Sequence, residues 1–405
     1  MRISSSTLYD VNVAALNQQQ SAMLHTQQQV ASGRRILTPA DDPVAAARAL
    51  ELTQSDASVG QYAKNIDVVH NSVVLTDAAL ASVTSLLQDV QVIAVQAANT
   101  GAMNDTDRKG LSIDLQSRLD QLIALANSTD GVGNYLFSGF QGKISPFANT
   151  AAGVQYMGDD GQRLNQVSAN RQMASSDSGA DIFMRIKNGN GTFVTQAVPA
   201  NTGSGGISGG SVINPAAFLP GDSYRIDFAG VPGAITYSVT NTTTGAGVVP
   251  ATPYVSGQAI NFDGIQLDIQ GVPAAGDQFT VTPSTNESVF KTLSNLISAL
   301  STPAMGNTAS MAQLNGNIGS GLNGLTKALD NVLTVRSSIG ERMRELDALK
   351  STGADLSLQY KTALSLLQDV DYNAAITDLT QKKTSLEASQ KSFLQVMNMS
   401  MFNYM

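Results

Sequence analysis

Residues 52–97 read LTQSDASVGQYAKNIDVVHNSVVLTDAALASVTSLLQDVQVIAVQA. Leu52, Val59, Ile66, Val73, Leu80, Leu87 and Ala94 recur every seven positions. Ser55, Tyr62, Val69, Thr76, Val83, Val90 and Ala97 follow three residues after each. Twelve of these fourteen positions are apolar in a chain that is 42% hydrophobic, so composition alone does not produce the repeat. Apolar residues at the a and d positions of a heptad form a coiled-coil seam. The repeat predicts a helix from about Val44 to Ala98, roughly 80 Å long at 1.5 Å per residue. Gly101 is expected to end it. Asn104 or Asp105 should cap a second helix with Leu111, Leu115, Leu119, Leu122 and Ala126 on one face, ended by Gly131 and Gly133.

Proline maps the rest. Pro39 and Pro43 lie near the start, Pro146 follows, eight more fall from Pro199 to Pro283, and Pro303 is the last. Two long arms are therefore free to be helical and the middle is not. In the far arm Leu322, Leu325, Leu329, Val332, Ile339, Met343 and Leu346 alternate at spacings of three and four, interrupted by Arg336. Val289, Leu293, Leu296 and Leu300 mark a shorter helix before it. Each seam needs a partner and the other arm supplies one. The expected fold is mainly α, a long antiparallel bundle built from both chain ends, with one or two small antiparallel β domains inserted.

In the middle the seven-residue period gives way to alternation: Tyr224, Ile226, Phe228; Ile235, Tyr237, Val239; Ile265, Leu267, Ile269; Phe279, Val281. Asn188-Gly189-Asn190-Gly191 and Asp263-Gly264 read as turns, and Gly203 to Gly210 as a flexible loop. The parts are then an inner helix at 1–43, rod helices at 44–144, a β insertion at 145–284, rod helices at 285–368 and an inner helix at 369–405.

The outermost helices carry narrow stripes. Tyr9, Leu16, Met23 and Val30 repeat at seven, as do Tyr372, Leu379, Leu386 and Phe393, but their companions are mostly polar. Helices that bury so little are marginal in water, so both ends should be mobile in the monomer and ordered on assembly.

Composition removes most enzyme classes. The 405 residues hold no Cys, no Trp and two His, with a net charge of −8. Thiolate chemistry, disulfides and His-built metal sites or triads are excluded or nearly so. An acidic chain is a poor match for nucleic acid or an anionic membrane, and no stretch is a continuous apolar run of about 20 residues. Met1–Asp10 lacks an apolar core and does not read as a cleavable secretory signal. His25 and His70 read as solvated or interface residues. Asp41-Asp42 and Asp159-Asp160 read as caps or turns, since neither context supplies an apolar pocket. Arg34-Arg35 suits an exposed helix end or an acidic partner. Met397, Met399, Met401 and Met405 read as soft apolar contacts. No catalytic, cofactor or metal residue is assigned.

Ser32-Gly33-Arg34-Arg35-Ile36, followed by Pro39-Ala40-Asp41-Asp42-Pro43-Val44-Ala45, resembles the N-terminal signature of the flagellin superfamily. Asn104-Asp105-Thr106-Asp107-Arg108 resembles its second rod segment. Arg336-Ser337-Ser338-Ile339-Gly340-Glu341-Arg342, the run Asp369 to Leu379 and the closing Gln390 to Met405 are also similar. Gly133-Asn134-Tyr135-Leu136-Phe137-Ser138-Gly139 resembles the branch of that superfamily that joins hook to filament. The likeness covers both arms. In the middle, Ile260 to Gly264 resembles small β insertions of hook-associated proteins.

The resemblance implies an extracellular structural part of the bacterial flagellum, exported unfolded without a cleavable signal. It implies a ring of about eleven copies of the chain. A neighbouring hook-associated protein would lie on the hook side and flagellin on the filament side, with a cytosolic export chaperone on the C-terminal helix. Leu379, Leu386, Phe393 and Val396 are expected to pack with Leu16, Met23 and Val30 as an inner tube. Gly33, Arg34, Asp41, Asp42 and Pro43 form the connector that sets the angle between inner and rod helices, unless this segment is a surface loop without contacts. Tyr135, Leu136, Phe137, Gly139, Arg336 and Gly340 belong to the rod. A filament flagellin is the neighbouring alternative. A secreted adhesin with a glycan-binding β insert is another. An inserted enzymatic domain is a third, weakened because the insert lacks His and Cys.

Overall fold

The structure is a computed structural model and describes residues 5–99, 103–231 and 233–398. The helices are α1 (Ser5–Ser32), α2 (Pro43–Ala97), α3 (Asp105–Ala126), α4 (Val289–Ser301), α5 (Thr308–Gln368) and α6 (Tyr372–Asn398). The chain forms two compact units, one of residues 1–64 with 348–405 and one of 65–347.

In the second unit α2 and α5 run antiparallel, because their cross-pairs descend on one helix as they ascend on the other. His70 faces Asp347, Asp77 faces Arg336 and Gln91 faces Thr326. The heptad prediction holds: Ile66, Val69, Val73, Leu80, Val83, Leu87, Val90, Ala94 and Ala97 are buried, as are Leu325, Val332, Ile339 and Leu346 opposite. Arg336 fits its seam position through Asp77. By length and composition α2 could cross a membrane, contrary to the expectation that nothing approaches such a span. Half of its most apolar window is buried inside the protein, as a coiled-coil seam requires.

Asn104 caps α3 in a reciprocal box with Asp107. Leu115, Leu119, Leu122 and Ala126 of α3 are buried and the helix packs on α4, where Val289, Phe290, Leu293, Leu296 and Leu300 are buried. α3 stops at Asn127, earlier than Gly131 and Gly133, because the Asn127 side chain turns aside to bond both the N–H and the carbonyl of Phe147. Gly101 lies outside the described residues.

The middle, expected to hold one or two small β domains over 145–284, has two parts. Two hairpins come first, β1 (Phe147–Thr150) with β2 (Gly153–Tyr156) and β3 (Leu164–Ser168) with β4 (Arg171–Ala174), then a π-helical turn at Ala180–Met184 and β5 (Ile186–Lys187). These pack on the helices. Phe147 and Phe183 stack with Phe290 of α4 and Phe137 in a buried aromatic cluster. Asn331 of α5 donates to the Asp181 and Ile182 carbonyls of the π-turn.

The β module proper lies between. It comprises β6 (Phe193–Ala197), β7 (Gly206–Ile207), β8 (Ser211–Val212), β9 (Tyr224–Val231), β10 (Ala234–Asn241), β11 (Gly247–Pro253), β12 (Ala259–Phe262), β13 (Ile265–Gln270) and β14 (Gln278–Pro283). One sheet has the order β11-β10-β9-β14-β6, and the other joins β12, β13, β7 and β8. Tyr224, Ile226, Phe228, Val239, Ile265, Leu267, Ile269, Phe279 and Val281 fill the core, as the alternation predicts. Gly203–Gly210 is not simply a loop. The buried Asp277 carboxylate accepts the Thr202 and Gly203 N–H groups, and Gly206-Ile207 pairs with β13. The last strand, β15 (Asn286–Glu287), pairs with β5.

In the first unit α1 packs along α6. Ser357 of α5 donates to Asp56 of α2 at 2.6 Å.

Candidate assembly site

Four helix ends meet in the first unit: the C-termini of α1 and α5 and the N-termini of α2 and α6. Orphan backbone groups at such ends need partners, and the connectors supply them. Asp42 caps α2 by accepting the Ala45 N–H at 3.0 Å, and Pro43 opens the helix where its missing N–H costs nothing. Asp41 accepts the N–H groups of Thr38 and Leu37 at 2.8 and 2.9 Å and bonds His25 Nε2 of α1 at 3.0 Å. The Thr38 N–H, with help from Leu37 and His25, holds the Asp41 carboxyl below its ordinary value. Asp371 accepts the Asn373 and Ala374 N–H groups and so caps α6.

The two connectors cross. The Arg35 N–H donates to the Gln368 carbonyl at 2.6 Å and the Val370 N–H to the Gly33 carbonyl at 3.0 Å, flanking an antiparallel bridge between Arg34 and Asp369. The Arg35 guanidinium donates to the Leu367 carbonyl at 2.9 Å, a cation on the negative end of α5, and also meets Asp42. Gly33 has φ +68°, and a Cβ there would lie 2.9 Å from the Tyr372 hydroxyl. The segment is therefore no contact-free surface loop. His25 is half-buried in an ion-pair position that its sequence context did not reveal.

Along α1 and α6 the stripe residues Leu16, Met23, Val30, Leu379 and Phe393 are half-buried and Leu386 is buried. Tyr9 and Phe393 pack ring to ring at 5.6 Å. The side chain of Val396, and Met399, Met401 and Met405, lie outside the described residues; Met397 is exposed. Both members of the pair are helical, over Ser5–Ser32 and Tyr372–Asn398. Its apolar surface nonetheless stays open at Tyr9, Val11, Leu24, Ile376, Leu394 and Met397. The sequence reading missed its polar centre. Buried Thr26 donates to Asp378 at 3.1 Å and accepts from Lys382 at 2.8 Å, and Lys382 pairs with Asp378 at 2.7 Å. The i,i+4 spacing of Asp378 and Lys382 was the available signal.

The rod residues lie in the other unit. Leu136 and Phe137 are buried and Tyr135 is half-buried. Gly139 has φ +70°, and a Cβ there would collide with the Asp159 carboxylate and carbonyl. Asp159 in turn accepts the Phe140 and Gly161 N–H groups, which hold its carboxyl below the ordinary range. Gly340 faces open space. Among the described residues no cluster of His, Asp or Glu could hold a metal ion.

Comparison with known proteins agrees with this architecture. The sequence profile of the bacterial flagellin N-terminal helical region matches residues 3–142, and that of the flagellar hook-associated protein 1 D2-like domain matches residues 201–283. Flagellar hook-associated protein 3 of Salmonella typhimurium is 29% identical over 402 residues, 99% of each chain. Phase 1 flagellin of Salmonella naestved is 25% identical over 293 residues, 72% of this chain but 49% of its own length. The crystal structure of flagellar hook-associated protein 3 from Legionella pneumophila superposes with a TM-score of 0.74 at 30% identity, covering 78% of this chain and 98% of that one. The likeness runs along nearly the whole length of the chain, and the chain belongs to the flagellar hook-associated protein 3 family.

Proposed function

We propose that this protein is a structural subunit of the bacterial flagellum that joins hook to filament. The carrying observation is the α1–α6 pair, tied together by backbone hydrogen bonds at its crossing connectors yet exposing apolar side chains at Tyr9, Val11, Leu24, Ile376, Leu394 and Met397. Burying such side chains against identical neighbours yields about 25 cal/mol per Å2 of apolar surface, offset by the entropy of ordering. Leu16, Met23 and Val30 with Leu379, Leu386, Phe393 and Val396 form the inner tube. The α2–α5 bundle carries contacts between subunits and the β module faces outward. The ring holds about eleven copies. A neighbouring hook-associated protein adjoins it on one side and flagellin on the other. The chain leaves the cell through the flagellar export apparatus, a chaperone holding its C-terminal helix beforehand. Its work is mechanical, with no catalytic step. The end-to-end match to a hook-associated relative, against a match to only half of the flagellin, favours a junction over a filament role.

Deleting residues 390–405 tests this. The truncated protein should lose only the helical signal of the end of α6 and keep a folded rod, but fail to restore motility to a strain lacking the gene. Antibody label should fall at the distal end of the hook. Normal filaments built with the truncated protein would overturn the reading, as would label along the whole filament.

A further inference from the structure

We propose that the β module, residues 193–283, pivots on the strand pair at Asn188 and Thr285 and is separated from α5 by a hydrated cleft. Three observations carry this.

The module's core is self-contained. Every buried residue of its cluster, from Phe193 to Val281, lies within the module. No apolar side chain from the helices is needed to complete it, so it can move as one body.

The module leaves the helical part through one narrow tether. β5 and β15 pair over two residues, and Asn188 governs the exit from the pair. Its N–H donates to the Thr285 carbonyl at 3.1 Å, and its Oδ1 accepts the Thr285 N–H at 2.8 Å. Its carbonyl accepts the Ser284 hydroxyl at 2.7 Å. Element-terminal positions of this kind absorb hinge rotation.

Between module and helices lie two adjoining cavities of about 470 and 440 Å3, which share Thr195, Gly209, Ser320 and Asn323. Gly316 and Gly319 of α5 border the second and bring no side chain to fill it. Direct contact across the gap is sparse and polar: Gln313 Nε2 donates to the Pro199 carbonyl at 2.9 Å, and Asn323 lies against Gly209. Polar cavities of this size hold water, and water offers no apolar penalty against opening.

The test uses the full chain, whose lack of cysteine permits clean labelling. Nitroxides at Gln258→Cys and Ser338→Cys, both exposed, report module against rod; a pair at Gln258→Cys and Ala246→Cys reports the module alone. Electron–electron distance measurements should give a module-to-rod distribution clearly wider than the internal one, as a hinge rather than a rigid body produces. Asn188→Ala should widen it further while leaving the internal pair unchanged. A module-to-rod distribution as narrow as the internal control would overturn the pivot. A broad distribution indifferent to Asn188→Ala would overturn its placement at the tether. Neither outcome bears on flagellar assembly, so the two readings fail separately.

Discussion

Arg336 reaches from a seam position of α5 to Asp77 of α2, Nε to Oδ1 at 2.9 Å and Nη2 to Oδ2 at 3.3 Å, a forked pair inside an otherwise apolar zipper. The Asp77 carboxylate, accepting from the guanidinium, raises the Arg336 pKa. Both side chains keep about 30% of their surface, which limits the energy involved. A double-mutant cycle with Arg336→Ala and Asp77→Ala should show a coupling of about 0.5–1 kcal/mol in urea unfolding. Leucine would restore apolar packing at this seam position, so Arg336→Leu should cost less stability than Arg336→Ala.

Gly139→Ala should be among the most damaging substitutions in the rod. The added Cβ meets the carboxylate and carbonyl of Asp159 on a backbone already at φ +70°. Clash and strain together should cost about 3 kcal/mol, read as a lowered urea midpoint with an unchanged slope.

Gly33→Ala tests the crossing of the connectors. Its left-handed backbone alone should cost about 1 kcal/mol, and the Tyr372 hydroxyl adds to this. Tyr372→Phe removes the obstructing oxygen but not the backbone strain. The double variant should therefore recover part of the loss in melting temperature and never all of it.

Acid should loosen the protein at defined places. The Asp159 carboxyl is held low first by the Phe140 N–H, that of Asp105 by the Ala304 N–H and that of Asp378 by Lys382. A depressed carboxyl contributes fully above its unfolded value and loses that contribution as pH falls through the folded one. Stability should be flat from neutrality to about pH 5 and fall below about pH 4. Asp159→Asn should shrink the acid-side drop while lowering stability at pH 7, measured by urea unfolding across that range.

The rod was legible because its signal is periodic. Leu80, Val83, Leu87 and Val90 announce one face in any order of reading, and all are buried. Strands such as Tyr224-Arg225-Ile226 were equally plain, since alternation needs no partner to be recognised. The division at 145–192 was not legible. Phe147, Phe183 and Phe290 meet from three distant segments, and no local pattern encodes that meeting. The connector caps were visible as Asp41, Asp42 and Pro43, but the crossing itself rests on backbone groups of Gly33, Arg35, Gln368 and Val370. Backbone groups are common to all residues and leave no mark in a sequence. Thr26 passed as one more polar companion because its partners lie some 350 positions away.

Thr26, Asp378 and Lys382 act as a notch cut into an otherwise smooth rail. Slide α6 by one heptad and the Asp378 carboxylate loses its hydroxyl donor while Thr26 keeps only the Ala22 carbonyl of its own helix, a penalty of about 1 kcal/mol. A stripe of interchangeable apolar residues would tolerate many alignments. This triad favours one, so α1 and α6 are held to a single phase along each other.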